Sequence, residues 1–207
     1  MTIKPLQFYL KNKSEKIITW EDVEKTVLKI VAKLKKDNFE LAVQKATELG
    51  VSHIVPILCE RSEKKSIHME RLQKIAVEAS EQSGRGDVPQ IHPVVGLTEL
   101  LQGNMLPKTS DRPLSDVRPT NLTDWFRPKN KIVLHTSDES GNFQIQISNF
   151  QKENAQDELA VFIGPEGGFS DKEIGLFAEH SIPLASLGPQ ILRAETAVIA
   201  VSSLLLL

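Results

Sequence analysis

The sequence predicts an α/β fold built on a largely parallel sheet. Three observations predict it. Apolar runs of strand length alternate with amphipathic stretches of helical spacing over about 180 residues. Two of the later apolar runs lead straight into Gly-containing loops, and a helix start follows each loop. A chain of 207 residues with 40% apolar content can bury a proper core, which fits one domain, or one domain with a small appendage.

Residues 1–25 are lysine-rich and show little periodicity. Val27 to Leu34 reads as the first strand. Asp37 or Asn38 then opens a helix, in which Phe39, Ala42, Val43, Ala46 and Leu49 share one face, and Gly50 supplies the stop. Val51 to Leu58 is a second strand. Met69 to Ser83 is a second helix with Leu72, Ile75, Ala76 and Ala79 inward, closed by Gly84-Arg85-Gly86. Val88 to Val95 reads as a Pro-flanked strand, and a short helix starts near Thr98.

Residues 103–130 break the pattern. Pro107, Pro113, Pro119 and Pro128 sit among Ser, Asp, Arg and Asn, the composition of a long loop or insertion. Lys131 to Thr136 resumes as a strand, and the segment up to Gln156 carries no clear pattern. Leu159–Ile163 and Leu184–Leu187 are the last strands. Helices Ser170–His180 and Arg193–Leu207 follow them. Ser170 and Glu173 have the spacing of a capping box.

Composition excludes several classes. A net charge of -2 gives no global basic signal for nucleic acid, although residues 1–36 hold nine Lys against four acidic residues. Cys59 is the only cysteine, so no internal disulfide forms, which fits a reducing, cytoplasmic setting. No signal peptide is visible, and the apolar run Val198 to Leu207 is too short to span a bilayer. His53, His68, His92, His135 and His180 are scattered without ligand spacing, so no metal is expected.

The two loops carry the chemistry. Ile163-Gly164-Pro165-Glu166-Gly167-Gly168-Phe169 follows one strand, and Leu187-Gly188-Pro189-Gln190-Ile191-Leu192-Arg193-Ala194-Glu195-Thr196 follows another. In a parallel sheet both open on the carboxyl edge, where ligands bind, and Leu134-His135-Thr136 reaches the same edge. The first loop lacks the Gly-Lys-Ser/Thr end of a P-loop and puts a carboxylate, Glu166, where a phosphate would sit. It also misses the dinucleotide spacing. Either loop alone reads as an ordinary strand-to-helix turn.

Together with Gln44-Lys45-Ala46-Thr47-Glu48-Leu49-Gly50-Val51, Glu60-Arg61-Ser62 and Glu81-Gln82-Ser83-Gly84-Arg85, these loops form five ordered motifs. In that order they resemble the ribosomal RNA small subunit methyltransferase E family of the SPOUT superfamily, over roughly residues 27–207. The resemblance implies a C-terminal trefoil knot, a homodimer, and S-adenosyl-L-methionine bound in the knot without metal. It implies methylation of uridine N3 in small-subunit ribosomal RNA. It also implies that residues 26–207 form the methyltransferase domain, and that residues 1–25 are an N-terminal remnant, too short for the family's PUA-like barrel. Members of the family usually continue beyond the point matching Leu207.

By the same resemblance, the cofactor contacts fall on Leu134, His135, Ile163, Gly164, Pro165, Glu166, Gly167, Gly168, Leu187, Gly188, Ile191 and Leu192. A neutral uridine imide is a poor nucleophile, so a base or a cation must favour its anion. Arg193 is the expected cation. Glu166 and Glu195 are candidate bases, with a helix N-terminal carboxylate or an ion-pair partner as the plain alternative for each. Thr196 is a candidate hydrogen-bond donor near the target base, or only a local cap. Gln44, Lys45, Arg61, Gln82 and Arg85 are the candidate RNA contacts, with Arg85 expected to be open to solvent between its glycines. Two other readings stay open. One is a decayed, non-catalytic RNA-binding relative that keeps the cofactor pocket. The other is a small-molecule nucleotide-binding module resting on the two loops alone.

Overall fold

The computed structural model describes residues 28–32, 36–61, 67–102, 128–136, 140–144, 146–147 and 158–207. Both the lysine-rich residues 1–25 and most of the Pro-rich stretch 103–130 lie outside the described residues.

Eight strands form one sheet in the order β3-β2-β1-β7-β5-β8-β6, with β4 also paired to β2. Along the chain, β1 is Leu28–Ala32, α1 Lys36–Glu48, β2 His53–Leu58, α2 Met69–Ser83, β3 Gln90–Ile91, β4 Val95–Gly96 and α3 Leu97–Gln102. Then come β5 Asn130–Leu134, β6 Gly141–Asn142, β7 Leu159–Ile163, α4 Asp171–Glu179, β8 Leu184–Ser186 and α5 Ala194–Leu206. All the pairings are parallel. Every strand therefore ends on the same edge.

The two-residue side-chain period of β7 splits the core into two layers. Leu159, Val161 and Ile163 face Phe39, Val43, Leu72, Ala76, Val198 and Val201, contributed by α1, α2 and α5. Ala160 and Phe162 face Leu97, Leu100, Phe169 and Phe177, contributed by α3, α4 and the loop before it. All five residues of β7 are buried, as a central parallel strand covered on both faces must be. Helices thus cover both sides of the sheet.

The local signals act as expected at most ends. Gly50 at φ 103° and Gly84 at φ 71° stop α1 and α2 in the left-handed region. Ser170 and Glu173 complete the capping box of α4, with Glu173 N donating to Ser170 Oγ and Ser170 N donating to the Glu173 carboxylate.

Some boundaries differ. The expected strand Val88–Val95 is two strands of two residues, β3 and β4, because Pro89 and Pro93 remove ladder donors on either side of β3. Strand β2 starts at His53 rather than Val51, and β5 runs Asn130–Leu134 rather than 131–136. β8 stops at Ser186, where the side chain turns back on its own loop. The unpatterned region before Gln156 contains β6, whose Gly-Asn sequence carries no strand signal.

Candidate active site

Three adjacent strands, β7, β5 and β8, end side by side, and the chain leaving each of them builds one wall of a cavity of about 450 Å³. From β5 come Leu134, His135 and Thr136. From β7 come Ile163 to Phe169, and from β8 come Ser186, Leu187 and Gln190 to Arg193. Ala194 and Ala197 of α5 close the floor. That volume suits a drug-sized organic ligand.

The β7 loop is held in a fixed shape. Gly168 N donates to Pro165 O at 2.8 Å, and Gly168 has φ +68°. Gly164 is required by packing: a Cβ there would lie 3.2 Å from two ring carbons of Phe169. Phe169 is buried and meets Phe177 edge-to-face at 4.9 Å. From outside the loop, the Arg61 guanidinium donates through Nη1 to Gly167 O and Phe169 O, both at 3.1 Å.

The β8 loop is closed more locally. Ser186 Oγ donates to Gly188 O at 2.7 Å, beside a glycine at φ +157°. Ile191 stands 85% exposed at the rim, and Leu192 is also exposed. Arg193 is the N-cap of α5 and makes no cap hydrogen bond. Its guanidinium lines the cavity and has no partner among the described residues.

Apolar side chains and exposed backbone polar groups line the cavity together. Such a slot can clasp a flat heteroaromatic ring and read its edge through backbone N–H and C=O groups. Hydrogen bonding to the Ser170 side chain, then the Lys172 ammonium, holds the nearby Glu60 carboxyl below its ordinary range.

The expected cofactor set therefore converges. Leu134, His135, Ile163, Gly164, Pro165, Glu166, Gly167, Gly168, Leu187, Ile191 and Leu192 all line the cavity. Gly188 shapes its loop without lining it. The expected catalytic set splits. Arg193 and Glu166 line the cavity, and Glu166 Oε1 accepts from Asn38 Nδ2 at 3.4 Å. Glu195 and Thr196 do not line it. Glu195 is buried in the first turn of α5, with Oε2 lacking a hydrogen-bond partner, whereas Thr196 is exposed.

The expected RNA-contact set scatters. Arg61 lies in the cavity wall. Gln44 and Gln82 share a separate groove between α1 and α2. Lys45 pairs with Glu48 at 2.8 Å. Arg85 is not open to solvent: Nη1 donates to Thr47 O at 2.6 Å and Val51 O at 3.1 Å, while Nε and Nη2 bind Asp87. Its post is the carboxyl end of α1 and the turn beyond it, where Thr47 O also accepts from Gly50 N.

Sequence reasoning missed Phe169, whose position before a capping box is a staple signal, and Ser186 and Gln190. It also missed a histidine pair. His53 and His92 stack at 5.2 Å between ring centroids, with Nδ1 and Nε2 3.0 Å apart, although 39 positions separate them. No group of three or more His, Cys, Asp or Glu suited to a metal occurs among the described residues.

Residues 22–206 match the RNA methyltransferase domain family. Ribosomal RNA small subunit methyltransferase E of Mesomycoplasma hyopneumoniae is 30% identical over 190 residues, covering 89% of this chain and 71% of the relative. The chain belongs to this family. The enzyme of the same name from Bacillus subtilis is 31% identical over 172 residues, 79% of this chain and 58% of the relative. That from Rickettsia conorii is 29% identical over 175 residues, and the chain spans 61% of its length. Two solved structures are also similar. A methyltransferase of Legionella pneumophila, in complex with its cofactor SAM, gives a TM-score of 0.66 at 28% identity, covering 87% of this chain and 66% of that one. The ribosomal RNA small subunit methyltransferase E of Neisseria gonorrhoeae, bound to S-adenosyl methionine, gives 0.64 at 25% identity, covering 86% and 65%.

Proposed function

We propose that this chain transfers the methyl group of S-adenosylmethionine to N3 of a uridine in small-subunit ribosomal RNA. One observation carries the reading. The two Gly loops of a family member meet at the ends of three adjacent strands around a single cavity, which is also lined by Arg193, an arginine with no partner among the described residues.

The residues fit the cofactor. The contact between Gly164 and Phe169 leaves the β7 loop no room for a side chain at position 164, so its backbone can come close to a ring. Leu134, Ile163, Leu187 and Leu192 supply apolar walls, and the backbone of Gly164–Gly168 and Leu187–Leu192 supplies polar edges. When bound, the sulfonium supplies an already activated methyl group.

The chain's own residues then serve the acceptor. Uridine N3 carries a proton that must leave before or as the N–CH₃ bond forms. Arg193 offers a positive charge to the imide anion, and its place at a helix N-terminus disfavours a cation for any helical reason. Glu166 is the better-placed base, because it lines the cavity and Glu195 does not. The burial of Glu195 at the α5 N-terminus favours its structural alternative.

Three further statements belong to this reading. The chain from β8 into α5 threads a trefoil knot. The support is that β8 lies beyond β5, yet α5 returns to pack on α1, β1 and β7. The protein works as a cytoplasmic homodimer. Residues 26–207 form one methyltransferase domain, as the family match over residues 22–206 supports.

Calorimetric titration with S-adenosylmethionine in chelator tests the cofactor. Transfer of labelled methyl to small ribosomal subunits, mapped to the modified atom, tests the acceptor. Saturable binding with methylation at uridine N3 supports the proposal. Saturable binding without transfer supports a non-catalytic relative instead, and absence of binding ends the reading.

A further inference from the structure

We infer that Arg61 is a positioning residue, which sets the shape of the β7 loop before any ligand arrives, and is not itself an RNA contact. The inference deepens the proposed function, since it assumes that this loop receives the cofactor.

The argument starts from the loop's spare acceptors. The tight turn uses Pro165 O for Gly168 N. Gly167 O and Phe169 O are left pointing away from it, and both accept from the same Arg61 nitrogen at 3.1 Å. One guanidinium thus spans the last part of the loop. Both N–H bonds of that one nitrogen are used, and the rigid guanidinium plane fixes their directions as a rotating ammonium does not. The packing is equally close: a Cβ on Gly167 would lie 3.6 Å from Arg61 Cβ and 3.8 Å from its Cδ.

Arg61 is itself held from behind. Glu60 N donates to Glu173 Oε1 at 2.8 Å, and the other oxygen of the same carboxylate accepts from Ser170 N at 2.7 Å. Glu173 is buried, with 6% of its surface exposed. A single buried carboxylate therefore ties the end of β2 to the end of the β7 loop. Lys172 adds an outer contact to Glu60 at 3.4 Å. The backbone under Arg61 and the carbonyls above it belong to one hydrogen-bonded unit.

This arrangement has a consequence for binding. A loop ordered in advance loses less entropy when a ligand docks, so affinity rises without any new contact. Hydrogen bonds to a charged donor are among the stronger ones, so removing this donor should loosen the loop measurably. Arg61 also lines the cavity, with Nε and Nη2 unbonded among the described residues, so it holds the loop without filling the slot.

The test compares wild type, Arg61→Ala and Arg61→Lys. The first readout needs no ligand: amide hydrogen exchange in the free protein. In Arg61→Ala the amide of Gly168, which donates to Pro165 O across the turn, should exchange about tenfold faster, with Val161 in β7 unchanged. Lysine should recover only part of that protection. The second readout is the dissociation constant for S-adenosylmethionine, expected to weaken about tenfold in Arg61→Ala with little change in melting temperature. Unchanged loop exchange in Arg61→Ala overturns the inference, whether or not wild type binds the cofactor. So does normal cofactor affinity combined with a shallower salt dependence of RNA binding, which would make Arg61 a phosphate contact. Loss of protection throughout the sheet would make it a global stability residue and also overturn the inference. Wild type that fails to bind the cofactor, with the exchange result as expected, removes the proposed function and leaves the positioning role.

Discussion

At the residue scale the cavity presents two positions where a single atom decides the outcome. Arg193 carries a charge that neither helix geometry nor a described partner explains. Losing one preorganised charge in an active site typically lowers the rate about a hundredfold or more. Arg193→Ala should therefore lose transfer to ribosomal RNA while its S-adenosylmethionine affinity stays near that of wild type. Normal methylation by the variant would remove Arg193 from the chemistry, and a circular-dichroism melt run beside the assay separates that result from unfolding. Gly164 is the second position. Its added methyl would meet the Phe169 ring at 3.2 Å, closer than nearly all ordinary contacts. The ring cannot yield freely, because it is buried against Phe177. Gly164→Ala should lower stability by about 1–3 kcal/mol, as overpacking does, and weaken the cofactor more than that loss alone predicts. A variant with unchanged affinity would mean that the ring shifts without disturbing the loop.

At the element scale the informative case is Arg85. Between two glycines it looks like a side chain offered to solvent, and only the fold reveals its target. The left-handed turn at Gly84 swings the chain back, so the guanidinium meets Thr47 O in the last turn of α1 and Val51 O just past it. Arg85→Ala should cost about 1–3 kcal/mol, because it takes the guanidinium donor from the part-buried Val51 carbonyl and a second donor from Thr47 O, which keeps only Gly50 N. A denaturant melt should show the loss, and cofactor affinity should not follow it. A stable variant with weakened RNA binding would restore the solvent-facing role. The contrast explains what was legible beforehand. Helix ends that rest on local chemistry, such as the box of Ser170 and Glu173 or the stops at Gly50 and Gly84, can be read from neighbouring letters. The two Gly loops that line the cavity were legible for the same reason, being contiguous. Arg61, Arg85 and the His53–His92 pair act across 30 to 110 positions, and no local pattern reports such contacts. The paired prolines around β3 show the opposite failure: their effect is local, but the apolar content of Val88–Val95 masked it.

At the scale of the whole molecule, the apolar surface left on α5 sets the assembly expected of it. Leu204 is 54% exposed on α5, and Leu207, the C-cap that follows the helix, is 63% exposed. Isolated exposed leucines are ordinary on a protein surface, so neither residue alone argues for a partner. Together they extend a helix whose other faces are already buried, against α1, β1 and β7. A two-fold interface uses each side chain twice. Full burial of a leucine is worth about 1.5–3 kcal/mol, and Leu204 is 54% exposed, so its two copies would contribute about 1.5–3 kcal/mol to association. Removing them should weaken a dimer by about one to two decades in dissociation constant. Wild type should therefore sediment as a dimer at micromolar concentration, and Leu204→Glu as a monomer. The charge adds an unpaired carboxylate at each copy of the contact, which strengthens the effect beyond lost burial. Circular dichroism should stay native in the variant, since position 204 faces away from the core. A wild-type monomer at that concentration would rule out α5 as the dimer contact. A dimer that survives Leu204→Glu would place the interface elsewhere, with the α1–α2 groove that holds Gln44 and Gln82 the next surface to probe.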